Sequence, residues 1–130
     1  MTRRLWQLAA VSLLCACATA CGSNLTVTNI QTGRSLNSDH SVGALTTTFK
    51  PNDTIYVSVL TDGSGSATIG VKFLYQGRVI SEPEKKVSYR GAAATEFHIE
   101  YSGGFPAGDY DIEVAFNGQP AGMRKVRVES

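Results

Sequence analysis

Hydrophobic residues in this chain alternate, and turn residues cut the alternation into short runs. Tyr110, Ile112, Val114 and Phe116 occupy every second position and stop at Asn117-Gly118. Ile55, Val57 and Val59 share one face of the run 54–60, with Tyr56 and Ser58 on the other. Ile69, Val71, Phe73 and Tyr75 are in phase over 67–75, and Phe97, Ile99 and Tyr101 alternate with Glu96, His98 and Glu100 over 95–101. A period of two belongs to a strand with one buried face. Asn-Gly at 117–118 suits a tight hairpin, because its central residues take positive φ. Gln76-Gly77 is a second two-residue connection, with 78–81 as its return strand and Pro83 as the end of that strand. Shorter apolar runs at 25–30, 45–49, 87–89 and 126–128 complete the set. Lys50-Pro51-Asn52-Asp53, a flexible turn at 62–65 and a corner at 103–108 separate them. The expected fold is all-β, a sandwich of about seven or eight antiparallel strands over residues 25–130.

One detail narrows the sandwich. Pro106-Ala107-Gly108-Asp109-Tyr110 sets a Tyr just after a corner, at the head of the penultimate strand. This resembles the tyrosine corner of immunoglobulin-like folds, whose phenol bonds back to the corner backbone. Phe73 stands where such domains often bury a Trp, and the cysteine pair of antibody domains is missing. In that topology the strand of Tyr110 lies in the middle of its sheet. Its outward Asp111 and Glu113 then face Lys72 on one side and Lys125 and Arg127 on the other, an opposite-charge pattern that favours the pairing.

The N-terminus reads differently. Arg3 and Arg4 precede an apolar stretch at 5–14, and the small residues Ala16, Ala18, Thr19 and Ala20 follow. A positive region, a short apolar region and a small-residue cleavage site make up a secretory signal, here residues 1–20. The apolar part is too short for a permanent membrane span, which needs about 20 apolar residues. All three cysteines, Cys15, Cys17 and Cys21, fall in or beside this segment, so the domain has no disulfide and no thiolate of its own. Ala18-Thr19-Ala20-Cys21-Gly22-Ser23 resembles the lipobox of bacterial lipoproteins, in which the cysteine thiol takes a diacylglycerol and becomes residue one. Ala18 stands where that family prefers Leu. Leu14-Cys15-Ala16-Cys17 is a competing box with lipidation at Cys17, and ordinary secretion with a free Cys21 is a third reading. Lipidation at Cys21 is the expectation, with residues 21–24 as a short tether holding the domain near the membrane. Gly22 rather than Asp after the cysteine points, by the usual sorting rule, to the outer membrane.

The strings Phe49-Lys50-Pro51-Asn52-Asp53-Thr54-Ile55-Tyr56, Gly91-Ala92-Ala93-Ala94-Thr95-Glu96-Phe97-His98 and Phe105-Pro106-Ala107-Gly108-Asp109-Tyr110, with Asn117-Gly118-Gln119-Pro120, carry a further likeness. Over residues 33–128 they resemble a group of small bacterial envelope lipoproteins with a single Ig-like domain. That group usually has Trp where Phe73 and Phe105 stand, and Gly is common at Asn52. The resemblance implies fold and location, and it carries no catalytic residues.

Composition excludes several functions. The chain has 12 basic and 11 acidic residues. Arg3 and Arg4 leave with the signal, so the domain lacks the clustered cations that nucleic-acid binding requires. Glu96, His98 and Glu100 share one strand face and could hold a metal loosely, but a solvated face is the expectation, because real sites draw ligands from several elements. Asp62-Gly63-Ser64-Gly65 has too few carboxylates for calcium. No serine stands in a nucleophile-elbow context. Lys85, Lys86 and Arg90 could meet anionic headgroups, although a solvated loop is the simpler reading. No catalytic residue, cofactor, metal or small-molecule substrate is expected. The expected role is a lipid-anchored binding or accessory module contacting another envelope protein, with Tyr56, Leu60 and Leu74 as outward apolar candidates. An inhibitor of a lytic or proteolytic enzyme, working through a loop such as 103–108, is an alternative, as is a structural role in the envelope.

Overall fold

The computed structural model describes residues 24–130. The signal segment, Cys17 and Cys21 lie outside the described residues. Among these, the chain forms β1 (Thr26–Gly33), β2 (Thr48–Phe49), β3 (Ile55–Asp62), β4 (Ser64–Tyr75), β5 (Arg78–Ser81), β6 (Glu84–Arg90), β7 (Ala93–Ile99), β8 (Gly108–Phe116) and β9 (Gln119–Val128). The strands make two sheets. The small one has the order β1-β3-β7, and the large one the order β2-β9-β8-β4-β5, with β6 also paired to β4.

The alternation read from the sequence becomes the core between these sheets. Ile55, Val57, Val59 and Phe97 of the small sheet meet Ile69, Val71, Phe73, Ile112, Val114, Val126 and Val128 of the large one, all of them buried. Each such side chain contributes about 1.5–3 kcal/mol when removed from water, and burial alone holds a domain that has no disulfide. The hairpin turns are as expected. Gln76 and Gly77 have φ of 51° and 79°, and Asn117 and Gly118 have 51° and 81°, the two positive angles of a two-residue turn matched to strand twist.

Strand order and register agree with the charge pattern. β8 lies between β4 and β9, with Asp109 opposite Arg127, Asp111 opposite Lys125 and Glu113 opposite Lys72. Arg127 Nη1 donates to Asp109 at 2.8 Å and Lys125 Nζ to Asp111 at 2.9 Å. Lys72, by contrast, pairs with Glu82 at 3.7 Å rather than with Glu113, because the break between β5 and β6 brings Glu82 alongside it. The tyrosine corner is present: Tyr110 donates to the Pro106 carbonyl at 2.6 Å. Tyr75 stacks on Tyr110 with centroids 4.6 Å apart and donates to the Ala107 carbonyl at 2.9 Å. Burial, aided by Tyr75 and Tyr101, pushes the Tyr110 phenol up to about 12, so it stays protonated and keeps donating.

Four expectations need correction. Residues 62–65 are not a flexible turn. β3 runs to Asp62, β4 starts at Ser64, and only Gly63 joins them, at φ 100°. A Cβ there would stand 2.2 Å from the Asn24 carbonyl oxygen, so only glycine lets the chain cross between sheets at this point. Among the described residues the strands number nine, close to the seven or eight expected, and one pair is not antiparallel. β2 runs parallel to β9, because the segment after β1 leaves the small sheet and reaches the open edge of the large one. The strand expected at 87–89 extends over residues 84–90, so Lys85, Lys86 and Arg90 stand on a strand and not in a solvated loop. β5 and β6 lie along the same edge of β4, interrupted at Pro83, which has no N–H to donate and whose carbonyl accepts from Val71 N–H at 2.9 Å. Finally, Tyr101 leaves the alternation. β7 ends at Ile99, and Tyr101 is 50% exposed, edge-on against Phe105.

Cations from the large sheet close both open sides of the sandwich. Arg124 on β9 donates to the Ile30 carbonyl at 3.1 Å and to Asn29 Oδ1 at 3.0 Å on β1. Lys85 on β6 donates to the Glu96 carbonyl and pairs with the Glu96 carboxylate at 3.5 Å on β7.

Candidate interaction surface

The two sheets present different outer faces. Residues 34–47 fold back over the small sheet. Within that segment, Asp39 accepts from the Ser41 hydroxyl at 2.5 Å and the Ser41 N–H at 3.0 Å, which holds its carboxyl below the ordinary range. His40 takes φ of 72° and offers its carbonyl to the Ser58 hydroxyl at 2.7 Å. Val42 is buried, and its N–H donates to Gln31 Oε1 at 3.2 Å. Ser58, an outward polar position in the alternation, is therefore fully buried.

Among the described residues, no comparable segment crosses the large sheet. On its outer face lies a groove of about 690 Å³. Its floor is Gly70 on β4 and Ala115 on β8, directly paired, with Glu84 of β6 opposite Gly70 and Pro120 of β9 opposite Ala115. Pro83, Glu82 and Glu84 form one wall, and Pro120 and Met123 the other, with Glu113 and Lys72 at one end. Small residues make the hollow: outward Gly70 and Ala115 stand where longer side chains would fill it. Met123 is 49% exposed.

This surface differs from the expected one. Tyr56, Leu60 and Leu74 are each partly covered, Tyr56 by the His98 ring at 5.6 Å. The large apolar side chains that do reach solvent are Leu45, Val79, Ile80, Tyr101 and Met123. Gly70 and Ala115 are silent in the sequence because a small outward residue has no hydrophobic signature. Their signal was their phase, between the inward pairs Ile69 and Val71, and Val114 and Phe116.

The polar face at 96–100 is occupied by the protein itself. Glu96 is 14% exposed in its side chain, with His98 Nδ1 2.5 Å from its Oε2 and Lys85 on Oε1. Burial raises the Glu96 carboxyl, but the His98 hydrogen bond and the Lys85 charge outweigh it and hold the group below the ordinary range. Lys85 is committed to this seam and also lies 5.1 Å from the Phe97 ring centroid, while Lys86 and Arg90 point to solvent from a strand. The corner at 103–108 does not project. Phe105 is buried and its N–H donates to the Pro51 carbonyl at 2.7 Å, so the corner is tied to the turn before β3. That turn is itself fixed, since Asp53 accepts from the Lys50 N–H at 2.8 Å and from Arg34 at 3.0 Å, which holds its carboxyl low.

No family model matches the chain, and no curated protein does. Among solved structures the chain is similar to an immunoglobulin-like protein from Pseudomonas aeruginosa, at a TM-score of 0.52 and 14% identity, over 82% of this chain and 98% of that one. The likeness, the sheet order and the tyrosine corner together establish the fold as an immunoglobulin-like β-sandwich.

Proposed function

We propose that this chain is a lipid-anchored module of the bacterial cell envelope, held through Cys21 at the outer membrane and acting by contact with another envelope protein. The observation that carries the contact role is the uncovered outer face of the large sheet with its groove and exposed Met123. An Ig-like sandwich supplies rigid faces and edges for such contacts. The lipobox-like segment supports the anchor, and several acyl chains give stable attachment where one does not. Asn24, the first described residue, donates to the Ser64 carbonyl at 2.9 Å, so the tether enters at the end of the sandwich where β3 passes into β4. The opposite end, with the tyrosine corner, then projects from the membrane.

Two measurements test this reading. Mass spectrometry of the mature N-terminus should find Cys21 as a diacylglyceryl-modified first residue; an unmodified cysteine or another start overturns the anchor. A photoreactive residue placed at Met123 in living cells should give one discrete crosslinked protein that the same residue at Lys86, outside the groove, does not. Absence of crosslinks from every tested face overturns the contact role.

A further inference from the structure

Resting on that contact role, we infer that the groove of the large sheet receives an extended segment of a partner protein that carries arginine or lysine beside apolar residues. The groove is apolar below and acidic above. Its floor is Gly70 and Ala115, and Met123 lies along one wall. Three carboxylates, Glu82, Glu84 and Glu113, stand on its rim against one cation, Lys72. That cation is already taken by Glu82 at 3.7 Å. Glu84 and Glu113 have no ion pair among the described residues, whereas Asp53, Glu96, Asp109 and Asp111 all do.

Register sets the dimensions. Glu84 is opposite Gly70, and Gly70 is opposite Ala115. Two strand spacings, about 10 Å, therefore separate Glu84 from the β8 backbone that bears Glu113. An extended chain is about that wide with its side chains, and the floor lacks the side chains that would block it. An arginine or lysine suits both parts at once. Its aliphatic stem covers apolar floor while its charged head reaches a carboxylate. An acidic segment would meet two unpaired like charges, and a purely apolar one would leave those carboxylates desolvated without a partner.

The test uses the full chain, isotope-labelled, in zwitterionic micelles, with a blocked six-residue peptide of alternating arginine and leucine as probe. A glutamate–leucine peptide of the same length is the control. Amide shifts should move at Gly70, Ala115 and Met123 with the arginine peptide and stay still with the control. Glu84→Gln and Glu113→Gln should each weaken binding about ten-fold, the loss of one charge-assisted bond. Ala115→Lys, which fills the floor with a cation, should abolish it, and a retained spectrum elsewhere shows that each variant is folded. Equal response to both peptides, shifts confined to other surfaces, or undiminished binding by the variants overturns the inference. So does movement of the same signals when the protein alone is concentrated, since that makes a second copy the occupant. Loss of peptide binding with crosslinks persisting from another face overturns the groove assignment and leaves the contact role standing.

Discussion

Arg124 reaches from β9 to β1 along one side of the sandwich, and Lys85 reaches from β6 to β7 along the other. Both satisfy a backbone carbonyl on a strand edge that would otherwise be open for pairing with another chain. Their remaining partners differ. Arg124 ends on the neutral oxygen of Asn29. Lys85 ends on the carboxylate of Glu96, which is largely buried and also held by His98. A hydroxyl contact between Tyr89 and Thr95 at 2.8 Å reinforces the second seam. A cation that covers neutral acceptors can be lost to water at modest cost. One that compensates a buried charge leaves that charge stranded, and ties the seam to pH.

The comparison can be broken by substitution. The largest effect is expected from Lys85→Ala, about 2 kcal/mol of lost stability, measured by chemical denaturation, because the Glu96 carboxylate keeps its burial and loses its cation. Arg124→Ala should cost about 1 kcal/mol, since the acceptors it leaves on Ile30 and Asn29 are neutral. If the order of these two is reversed, the distinction between the seams fails. Acid sharpens it further. The Glu96 carboxyl is held below its ordinary value of 4.5, so its contribution is present above that pH and is lost as pH falls through the lower folded value. An acid titration of stability should show this loss in the native chain and in Arg124→Ala, and should not show it in Glu96→Gln. The smallest effect is expected from Lys85→Met combined with Glu96→Gln, which removes both charges. The pair should cost less than Lys85→Ala alone, because neither partner is left buried and uncompensated; a fully additive double-mutant cycle would contradict it.

Much of the fold is legible in the sequence. Residues at 55–59, 69–73 and 110–116 alternate because each strand faces one core, and that period survives translation into structure unchanged. The hairpins at Gln76-Gly77 and Asn117-Gly118 were legible because backbone sterics tie those residue types to positive φ. The tyrosine corner was legible because its bond spans only four residues, from Tyr110 to Pro106. The misses share a cause as well. Ser58 reads as exposed, yet it is covered by His40, eighteen residues distant in sequence. Lys85 reads as a loop cation and is committed to a strand eleven residues away. Gly63 reads as flexible and is a crossing point fixed by its approach to Asn24. Each depends on a neighbour brought in by the fold.

The candidate surface divides in the same way. Composition alone showed no cluster of cations for nucleic-acid phosphates and no thiolate within the domain, and the N-terminal pattern set the expectation of an anchor at Cys21. The groove could not be read from the chain, because it is a hollow between strands β4, β6, β8 and β9 that come from separate stretches of sequence. Local residue types determine strand phase, turn geometry and charge balance, since those follow from bonded sterics and side-chain chemistry. Which faces stay covered, which carboxylates find a cation and where small residues line up into a floor were decided only by tertiary packing, because each depends on distances between residues far apart in the chain.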